Sequence, residues 1–532
     1  MPSSYDVIIV GAGHNGLVAG AYLAEAGLRV LILEKRPVVG GACVTEEIWP
    51  GYRVSTAAYV NSLFRPEIVR HLQLAKYGFQ MLARNPSSFT PFPDGRYLFL
   101  GPDPELNRRE IGKFSAADAA AYPRYEAMLD RVARFLEPLL LEAPPDPWSY
   151  RLSDWTRWAR LAWRFRRLGQ DDGRWALRIL TAPARTILDD WFESEQLKAT
   201  LATDAVIGAF ASPSTPGTGY VLFHHVMGEC EGVRGVWGYV RGGMGALTQA
   251  LARAAEDRGA HILCQAEVQS IQVSNGQTQG VILADGREYR ARCVASGADA
   301  HVTFCRLVGR KHLPEPFVQA IERVDYSSAS LKINLALAEL PDFRALPGRQ
   351  PGPQHRGTIH ICPDLDYMER AYDEARRGVP STYPILECTL PTVMDETLAP
   401  PGKHIMGLFV QYAPYRLAQG SWDDHKEAFV DRCLDVLAQY APNIRQAILH
   451  RQVLSPVDIE RTFGLTGGNI FQGAMVPHQL FFQRPVVGWS QYRTPIVGLY
   501  LCGSAAHPGG GVIGACGYNA ARVILEDRRR WK

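Results

Sequence analysis

The sequence predicts an α/β fold in which one domain, assembled from three separated segments, is interleaved with a second domain of mixed β-sheet and helices. Three blocks combine strands, glycine-rich turns and helices: one at the N terminus, one from 243 to 296 and one from 498 to 525. The two long insertions between these blocks have different residue patterns: the first is predicted to be helical and the second to be rich in alternating strands. The 532 residues suit two such units, since a domain commonly holds about 150 residues.

The N-terminal block predicts a compact βαβ unit. Apolar residues Val7 to Val10 form the first strand and a glycine-rich turn follows. Leu17 to Ala26 then form a helix that ends at Gly27, and Val30 to Leu33 form the second strand. Two parallel strands joined through a helix are the usual start of a Rossmann-like sheet.

The turn has the spacing G-x-G-x-x-G at Gly11, Gly13 and Gly16. The first glycine permits the turn, the second lets the backbone approach a pyrophosphate, and the third lets helix and strand pack closely. Glu34 ends the next strand, where it can accept hydrogen bonds from both ribose hydroxyls and repel a 2′-phosphate. The sequence therefore predicts a site for FAD or NAD rather than NADP.

The other two blocks continue this domain. In the middle block we expect a helix from Ala246 to Arg258, a strand from His261 to Val273, and a hairpin turn at Asp285-Gly286 within Gly280 to Val294. The C-terminal block, Gly498 to Leu525, predicts a strand, a glycine-rich loop and a helix. We assign to the first domain residues 1–80, 235–310 and 465–532.

The second domain comprises residues 81–234 and 311–464, with a helical part over about 104–200. The second insertion is predicted to contain strands with alternating side chains, for example at Lys332 to Ala338 and at His404 to Tyr412.

Composition excludes several classes of function. A formal net charge of +3 provides no global field for nucleic acid. The ten cysteines are scattered singly, so we expect neither a redox disulfide nor a zinc site, and no other metal site. The first strand begins near Tyr5 and no apolar run reaches membrane-spanning length, so we expect a cytoplasmic protein, with peripheral contact to the inner face of a membrane left open.

The segment from Glu34 to Gly41, with its Gly40-Gly41 pair, resembles the extended motif of the flavoproteins that include amine oxidases and phytoene desaturases. The resemblance implies FAD rather than NAD, and a Rossmann-like domain of glutathione reductase type. Many relatives continue with an arginine for the pyrophosphate, whereas Ala42 and Cys43 follow here.

Two later segments strengthen the likeness to phytoene desaturases. Trp237 to Leu247 is similar to their second flavin-contacting segment, after which Val268 would meet the adenine. Leu499 to Val512 looks like their last flavin motif, in which a loop touches ribityl and pyrophosphate and the next helix points at the pyrimidine edge. Relatives often have an acidic residue where Ser504 stands. The flavin-binding residues that the motifs imply are Gly11, Gly13, His14, Asn15, Gly16, Glu34, Lys35, Gly41, Ala42, Val268, Gly503, Ser504, Gly510, Gly511 and Val512.

Nearly the whole chain is similar to one subgroup of these proteins, called pyridine nucleotide-disulphide oxidoreductase domain-containing protein 2. The similar segments include 191–195, 198–204, the His224-His225 pair and 463–471. The subgroup's name does not describe this sequence, which has no disulfide motif and no second strand-flanked G-x-G-x-x-G for a nicotinamide.

Hydride transfer to a flavin requires little from the protein beyond an apolar pocket and a place for a proton. Lys332 shares a strand face with Asn334 and Ala336, and it resembles the amine oxidase lysine that holds a water near N5. His225 and His507 are our candidates for proton handling, together with His224. A surface or packing role is the alternative for each.

Residues 153–168 predict an amphipathic helix. Its aromatic stripe (Trp155, Trp158, Ala162, Phe165) and its arginine stripe (Arg157, Arg160, Arg164, Arg167) are offset by two residues, or about 200° on a helix, so that they face opposite sides. The pattern is typical of a helix lying in a membrane interface, or of one that packs its aromatic face on the core.

The first interpretation is an FAD-dependent dehydrogenase or desaturase of an apolar, isoprenoid or polyene substrate, reoxidised by oxygen or a quinone. A redox-neutral isomerase that uses reduced FAD is the second. A flavin-binding regulatory or partner-binding protein with little catalysis is the third. The sequence does not determine the oligomeric state.

Overall fold

The computed structural model describes residues 4–230 and 232–528. Its strands are β1 (Ser4–Val10), β2 (Val30–Leu33), β3 (Thr45–Trp49), β4 (Tyr52–Ser55), β5 (Met81–Ala83), β6 (Ser88–Pro91), β7 (Tyr97–Leu100), β8 (Glu229–Cys230), β9 (Val233–Arg234), β10 (Gly238–Val240), β11 (His261–Leu263), β12 (Val268–Ser274), β13 (Gln277–Leu283), β14 (Glu288–Ser296), β15 (Ser330–Leu337), β16 (Thr358–Ile361), β17 (Ile385–Thr389), β18 (His404–Gln411), β19 (Ile448–Leu454) and β20 (Leu499–Leu501).

The α-helices are α1 (His14–Glu25), α2 (Pro66–His71), α3 (Pro104–Gly112), α4 (Ala116–Leu140), α5 (Leu152–Arg167), α6 (Gly169–Thr181), α7 (Ala184–Trp191), α8 (Glu195–Val206), α9 (Thr218–Val226), α10 (Met244–Glu256), α11 (Glu315–Glu322), α12 (Leu365–Arg376), α13 (Trp422–Tyr440), α14 (Ile444–Ala447), α15 (Pro456–Phe463) and α16 (Ala515–Arg528).

The first sheet is the predicted Rossmann-like sheet. Its strand order is β11-β2-β1-β14-β13-β12, and β20 pairs with β14. The pairs β1–β2, β2–β11, β1–β14 and β14–β20 are parallel. Helix α1 packs against both α10 and α16 at this sheet, and the central strands are buried on both faces.

The predicted single strand from His261 to Val273 is wrong. It divides into β11, at one edge of the sheet beside β2, and β12, which pairs with β13. Gln265 between them has a φ of 51°, a left-handed conformation that turns the chain. Periodicity could not reveal this break, since both halves are apolar enough for one strand. The turn at Asp285-Gly286 between β13 and β14 is as predicted.

The second sheet has the order β19-β15-β18-β17-β16-β6-β7. One of its faces packs on α13 through a buried apolar cluster that includes Ile333, Leu408 and Phe429. On the other face, four residues on adjacent strands lie directly opposite one another. This cross-strand row consists of Lys332, Phe409, Glu387 and His360.

Helix α5 forms where the amphipathic pattern predicts it, but its aromatic stripe does not form one face, because the stripe is divided between the packing face and solvent. Asp154 is buried and Trp158, Leu161 and Phe165 are partly buried, so these residues form the packing face. Trp155 points outward with 61% of its surface exposed. Leu161 takes the inner position because the row 154, 158, 161 and 165 also follows helical spacing.

None of the described helices is long and apolar enough to cross a bilayer.

Candidate flavin site and adjoining cavity

A cavity of about 690 Å³ lies at the ends of β1, β2 and β14. Every residue that the motifs predicted for the cofactor lines this cavity, except Gly510. The chain reaches it from all three segments of the first domain, and Lys332 and Phe409 of the second sheet complete the wall. We call this cavity the flavin pocket.

The N-terminal turn has the geometry that a bound pyrophosphate needs. Gly11 has a φ of +93°, which disfavours any other residue. A Cβ on Gly16 would lie 2.1 Å from the carbonyl oxygen of Gly11, whereas a Cβ on Gly13 would meet no atom within 4 Å. Gly13 therefore presents open backbone to the pocket at the N terminus of α1, where anions are favoured.

Glu34 is buried and fixed by the backbone around it. Its Oε2 accepts a hydrogen bond from the amide of Ala12 at 2.9 Å and its Oε1 accepts one from the amide of Arg36 at 3.0 Å. Each oxygen retains a lone pair for a ribose hydroxyl. The carboxylate is thus oriented before any ligand arrives.

The predicted C-terminal loop packs against the N-terminal turn. Asn15 donates from Nδ2 to Ser504 Oγ at 3.2 Å, and a Cβ on Gly503 would lie 2.3 Å from the carbonyl oxygen of Gly297. Val512 has a φ of 60°, an unusual conformation for a β-branched residue, and it lines the pocket. Gly510 lies beneath the lining, where its carbonyl accepts a hydrogen bond from His224 Nε2 at 3.1 Å.

Arg484 holds this loop from below and was not identified from the sequence. Its buried guanidinium donates to the carbonyls of Ser504 at 2.8 Å, Phe471 at 2.6 Å and Gly473 at 3.2 Å. Such a cluster of carbonyls compensates the cost of burying a charge. No local motif marks this arginine, because its partners are backbone carbonyls, which residues of every type supply.

Lys332 lies in the wall between the flavin pocket and the second sheet. Its Nζ is buried, forms no hydrogen bond and lies 4.6 Å from the centre of the Tyr59 ring. Gly407 makes room for it, since a Cβ there would lie 2.4 Å from Nζ. Burial lowers the pKa of Lys332 to about 7, so the amine can be neutral at physiological pH.

These features fit FAD. The open backbone at Gly13 suits a pyrophosphate, the oriented Glu34 suits a ribose, and the unpartnered amine of Lys332 lies where a polar ring edge or a water can satisfy it.

A second cavity of about 540 Å³ adjoins the flavin pocket. The residues that line both mark the junction: Ala58, Tyr59, Ile470, Phe471, Gly511 and Val512. Most of the remaining wall is apolar, for example Leu63, Leu129, Ile207, Leu222 and Val226. An ionisable patch formed by Arg84, Asp204 and Glu387 interrupts this wall.

The two carboxyl groups of the patch were not identified from the sequence. Tyr59 donates its hydroxyl to Glu387 Oε1 at 3.0 Å. Burial raises the pKa of Glu387, and burial together with the charge of Glu387 raises the pKa of Asp204 to about 7. Glu387 could have been noticed in the sequence, because it is the one charged residue within the otherwise apolar segment that forms β17.

The structure separates the three candidate histidines. His225 lines the second cavity, and burial lowers its pKa to about 4. His224 lies under the C-terminal loop, bonded to Gly510. His507 lines neither cavity, and its Nε2 bonds to the carbonyl of Leu139 at 2.9 Å, so its position does not support a catalytic role.

Comparison with known proteins agrees with this site. A family model described as NAD(P)-binding Rossmann-like domain matches residues 9–72, and one described as flavin containing amine oxidoreductase matches residues 183–525. The rat protein called pyridine nucleotide-disulfide oxidoreductase domain-containing protein 2 is 47% identical over 98% of this chain and 94% of its own length.

Two other proteins indicate how widely the fold is used. A lycopene-forming phytoene desaturase from Pseudescherichia vulneris is 25% identical over 98% of this chain and 99% of its own. A solved structure of putrescine oxidase bound to putrescine shares the fold at 16% identity, with a TM-score of 0.60 and 99% of each chain covered. This chain belongs to the flavin-containing amine oxidoreductase family, as a phytoene desaturase-like, FAD-binding oxidoreductase.

Proposed function

We propose that this protein dehydrogenates an apolar, isoprenoid or polyene substrate that enters the second cavity and reaches the flavin pocket at Tyr59 and Val512. The observation that carries the proposal is the largely apolar cavity of about 540 Å³, whose junction with the flavin pocket lies beside Lys332. A cavity of this size suits one drug-sized molecule. The similarity to a phytoene desaturase favours the same substrate class.

The chain's own residues exclude water and position the substrate. When bound, FAD supplies a hydride acceptor at N5. Phe409 and Tyr59 flank the amine of Lys332 and restrict the approach to the junction. Lys332 can hold a water or a proton there, because burial lowers its pKa into the neutral range.

Anaerobic mixing of the FAD-loaded chain with phytoene in liposomes tests the proposal. We expect bleaching of the flavin's visible absorption and a product with an additional double bond. Val226→Trp is a matched variant, since Val226 lines the second cavity but not the flavin pocket. It should keep its flavin and lose its reduction by phytoene.

Two results would overturn dehydrogenation. One is a wild-type flavin that stays oxidised with phytoene. The other is an isomerised polyene formed by enzyme whose flavin was reduced beforehand, with no net acceptor consumed, which would favour the redox-neutral isomerase.

We also propose that the substrate arrives from a membrane on which the protein lies peripherally, at the cytoplasmic face. Large apolar side chains are exposed on and just before α5, which is unusual for a free surface. They are Trp148 (62%), Tyr150 (99%), Leu152 (79%), Trp155 (61%) and Trp163 (58%).

Exposed arginines on the same helix give this surface a positive charge. They are Arg160, Arg166 and Arg167. Aromatic side chains beside guanidinium groups complement an anionic lipid surface.

A further inference from the structure

The second cavity contains an ionisable cluster that the proposed hydride transfer does not use. Glu387 is buried at the middle of β17 and lines the cavity with Asp204 of α8. Two carboxyl groups in a largely apolar wall destabilise the fold unless they have a role or full compensation.

Position in the second sheet links this cluster to the flavin pocket. Lys332 and Glu387 both pair with Phe409, and His360 pairs with Glu387, so all four lie on one face. Lys332 and Phe409 line the flavin pocket, whereas Glu387 and His360 line the second cavity. The row therefore extends from one cavity to the other beneath their junction.

Tyr59 connects the first and third residues of the row, Lys332 and Glu387. Its ring lies against the amine of Lys332 and its hydroxyl donates to Glu387. It lines both cavities. Because Tyr59 stands at the junction, Glu387 is one hydrogen bond away from a residue that a reacting carbon must pass.

Ionisable groups face the carboxyl pair from each neighbouring element. Arg84 donates to Thr358 Oγ1 at 2.7 Å and to the carbonyl of Trp237 at 3.0 Å, and its positive charge favours the ionised carboxyls. Other ionisable groups that face the pair or line the cavity are Lys332 on β15, His360 on β16, His225 on α9, Tyr239 on β10, Arg234 on β9, and Tyr122, Tyr125, Glu126 and Asp130 on α4.

The two carboxyl groups have different neighbours, although burial raises the pKa of both. Tyr59, Arg84 and Lys332 oppose the rise that burial causes in the pKa of Glu387. Of these groups only Arg84 acts on Asp204, whose pKa burial and the charge of Glu387 raise to about 7. Tyr59, Arg84 and Lys332 thus favour the ionised, proton-accepting form of Glu387, and Asp204 titrates near neutral pH beside it.

We infer that Glu387 accepts the proton that substrate dehydrogenation releases and that Asp204 takes it onward, an assignment that rests on the proposed function. One C–H bond of the substrate breaks and its hydrogen leaves with both electrons, as hydride, to the flavin oxidant. The neighbouring C–H bond breaks, its electrons form the new C=C bond, and its proton passes to a Glu387 oxygen. Glu126 of α4, exposed and on the wall of the same cavity, gives the proton an exit to solvent.

A first experiment needs no substrate. Infrared spectroscopy of the FAD-loaded chain should show the C=O stretch of a buried protonated carboxyl that fades between about pH 6 and about pH 8. Glu126 lines the same cavity and burial raises its pKa to about 7 as well, so the measurement is made in the Glu126→Gln background. There Asp204→Asn should remove the remaining signal. If the same titrating signal persists in the double variant, the assignment to this pair is overturned.

A second experiment follows flavin reduction by phytoene against pH. Glu387→Gln should keep its flavin and slow reduction by about 100-fold, a typical loss for a removed general base. Glu387→Asp should recover part of the rate. Glu105→Gln is the matched control and should match the wild type. This glutamate on α3 is exposed and forms an ion pair with Arg108.

Tyr59→Phe tests the role of Glu387 without replacing Glu387, so the test still applies if the Glu387 variants do not fold. The Tyr59 hydroxyl lowers the pKa of Glu387, so its removal should move the rising limb of the pH profile to higher pH. An unmoved limb, or Glu387→Gln within about twofold of the wild type, would overturn the proton-acceptor role. Failure of the proposed function is distinguishable, because phytoene then leaves the wild-type flavin oxidised, which overturns both.

Discussion

A single buried amine, that of Lys332, is the clearest case in which burial changes the chemistry of a residue. The alternating pattern of β15 placed Lys332 on one face with Asn334, and the structure has both buried on that face. A lysine at a strand start usually reaches solvent. Only the packing of β18 and Tyr59 around it lowers its pKa to about 7.

The pKa of Lys332 predicts a pH-dependent stability. The unfolded chain binds more protons than the folded chain between about pH 7 and about pH 10.5, so stability rises with pH over that range. Lys332→Met should therefore stabilise the fold, on the order of 3 kcal/mol at pH 7, with little gain near pH 10. Urea unfolding at both pH values measures it, and an equal gain at both would contradict the buried titration.

Glu387 and Asp204 show the limit of reasoning from single residues. Glu387 lies in the sequence Ile385 to Thr389, where a charged residue amid apolar neighbours is a visible anomaly. Its partners come from sequence positions about 180 and 330 residues away. The charged residue could be noticed in the sequence, but its contacts with Tyr59 and Asp204 could be identified only from the fold.

Among the elements, α5 was predicted in existence and extent but not in orientation. The sequence offers two overlapping stripes of helical spacing, and packing against α4 and α6 selects the one containing Trp158 and Phe165. Trp155 and Trp163 are left outside with Leu152. Periodicity defines candidate faces, whereas neighbouring helices decide between them.

The orientation of α5 determines the membrane test. The triple variant Leu152→Ser, Trp155→Ser and Trp163→Ser should abolish co-sedimentation with liposomes that contain anionic lipid, because these side chains supply the exposed apolar surface. Tyr383→Ser, at an exposed aromatic residue of another region, should not change it. Binding that survives the triple variant would refute the membrane proposal.

At the scale of the whole molecule, the flavin pocket joins the two sheets. Its glycine-rich walls belong to the first domain, and Lys332 and Phe409 come from the second. A ligand that contacts both should stabilise them together.

FAD should accordingly raise the stability of the entire chain. Apoprotein supplied with FAD at about 100 times its Kd should gain roughly 2.7 kcal/mol and melt in one transition at higher temperature. Gly16→Ala should lose this gain, since its Cβ would lie 2.1 Å from the Gly11 carbonyl. Gly112→Ala is the control, because a Cβ there meets only Ala119, at 4.0 Å. Calorimetry with and without FAD measures the melting temperature of each variant. A rise in the melting temperature of Gly16→Ala on addition of FAD would contradict the prediction.

The sequence by itself determined the N-terminal βαβ unit, the glycine turn, Glu34 and each of the family's flavin motifs. These features are local, since each depends on residues within about 30 positions of one another. Their spacing can therefore be recognised without knowledge of the rest of the chain.

Only the tertiary structure decided how the second sheet completes the site. The face of α5 and the Glu387–Asp204 pair arise from contacts between distant segments. The break at Gln265 and the carbonyl cluster around Arg484 depend on backbone conformation that the side-chain pattern does not show. Burial and long-range pairing set these properties, and neither is encoded in the periodicity of one segment.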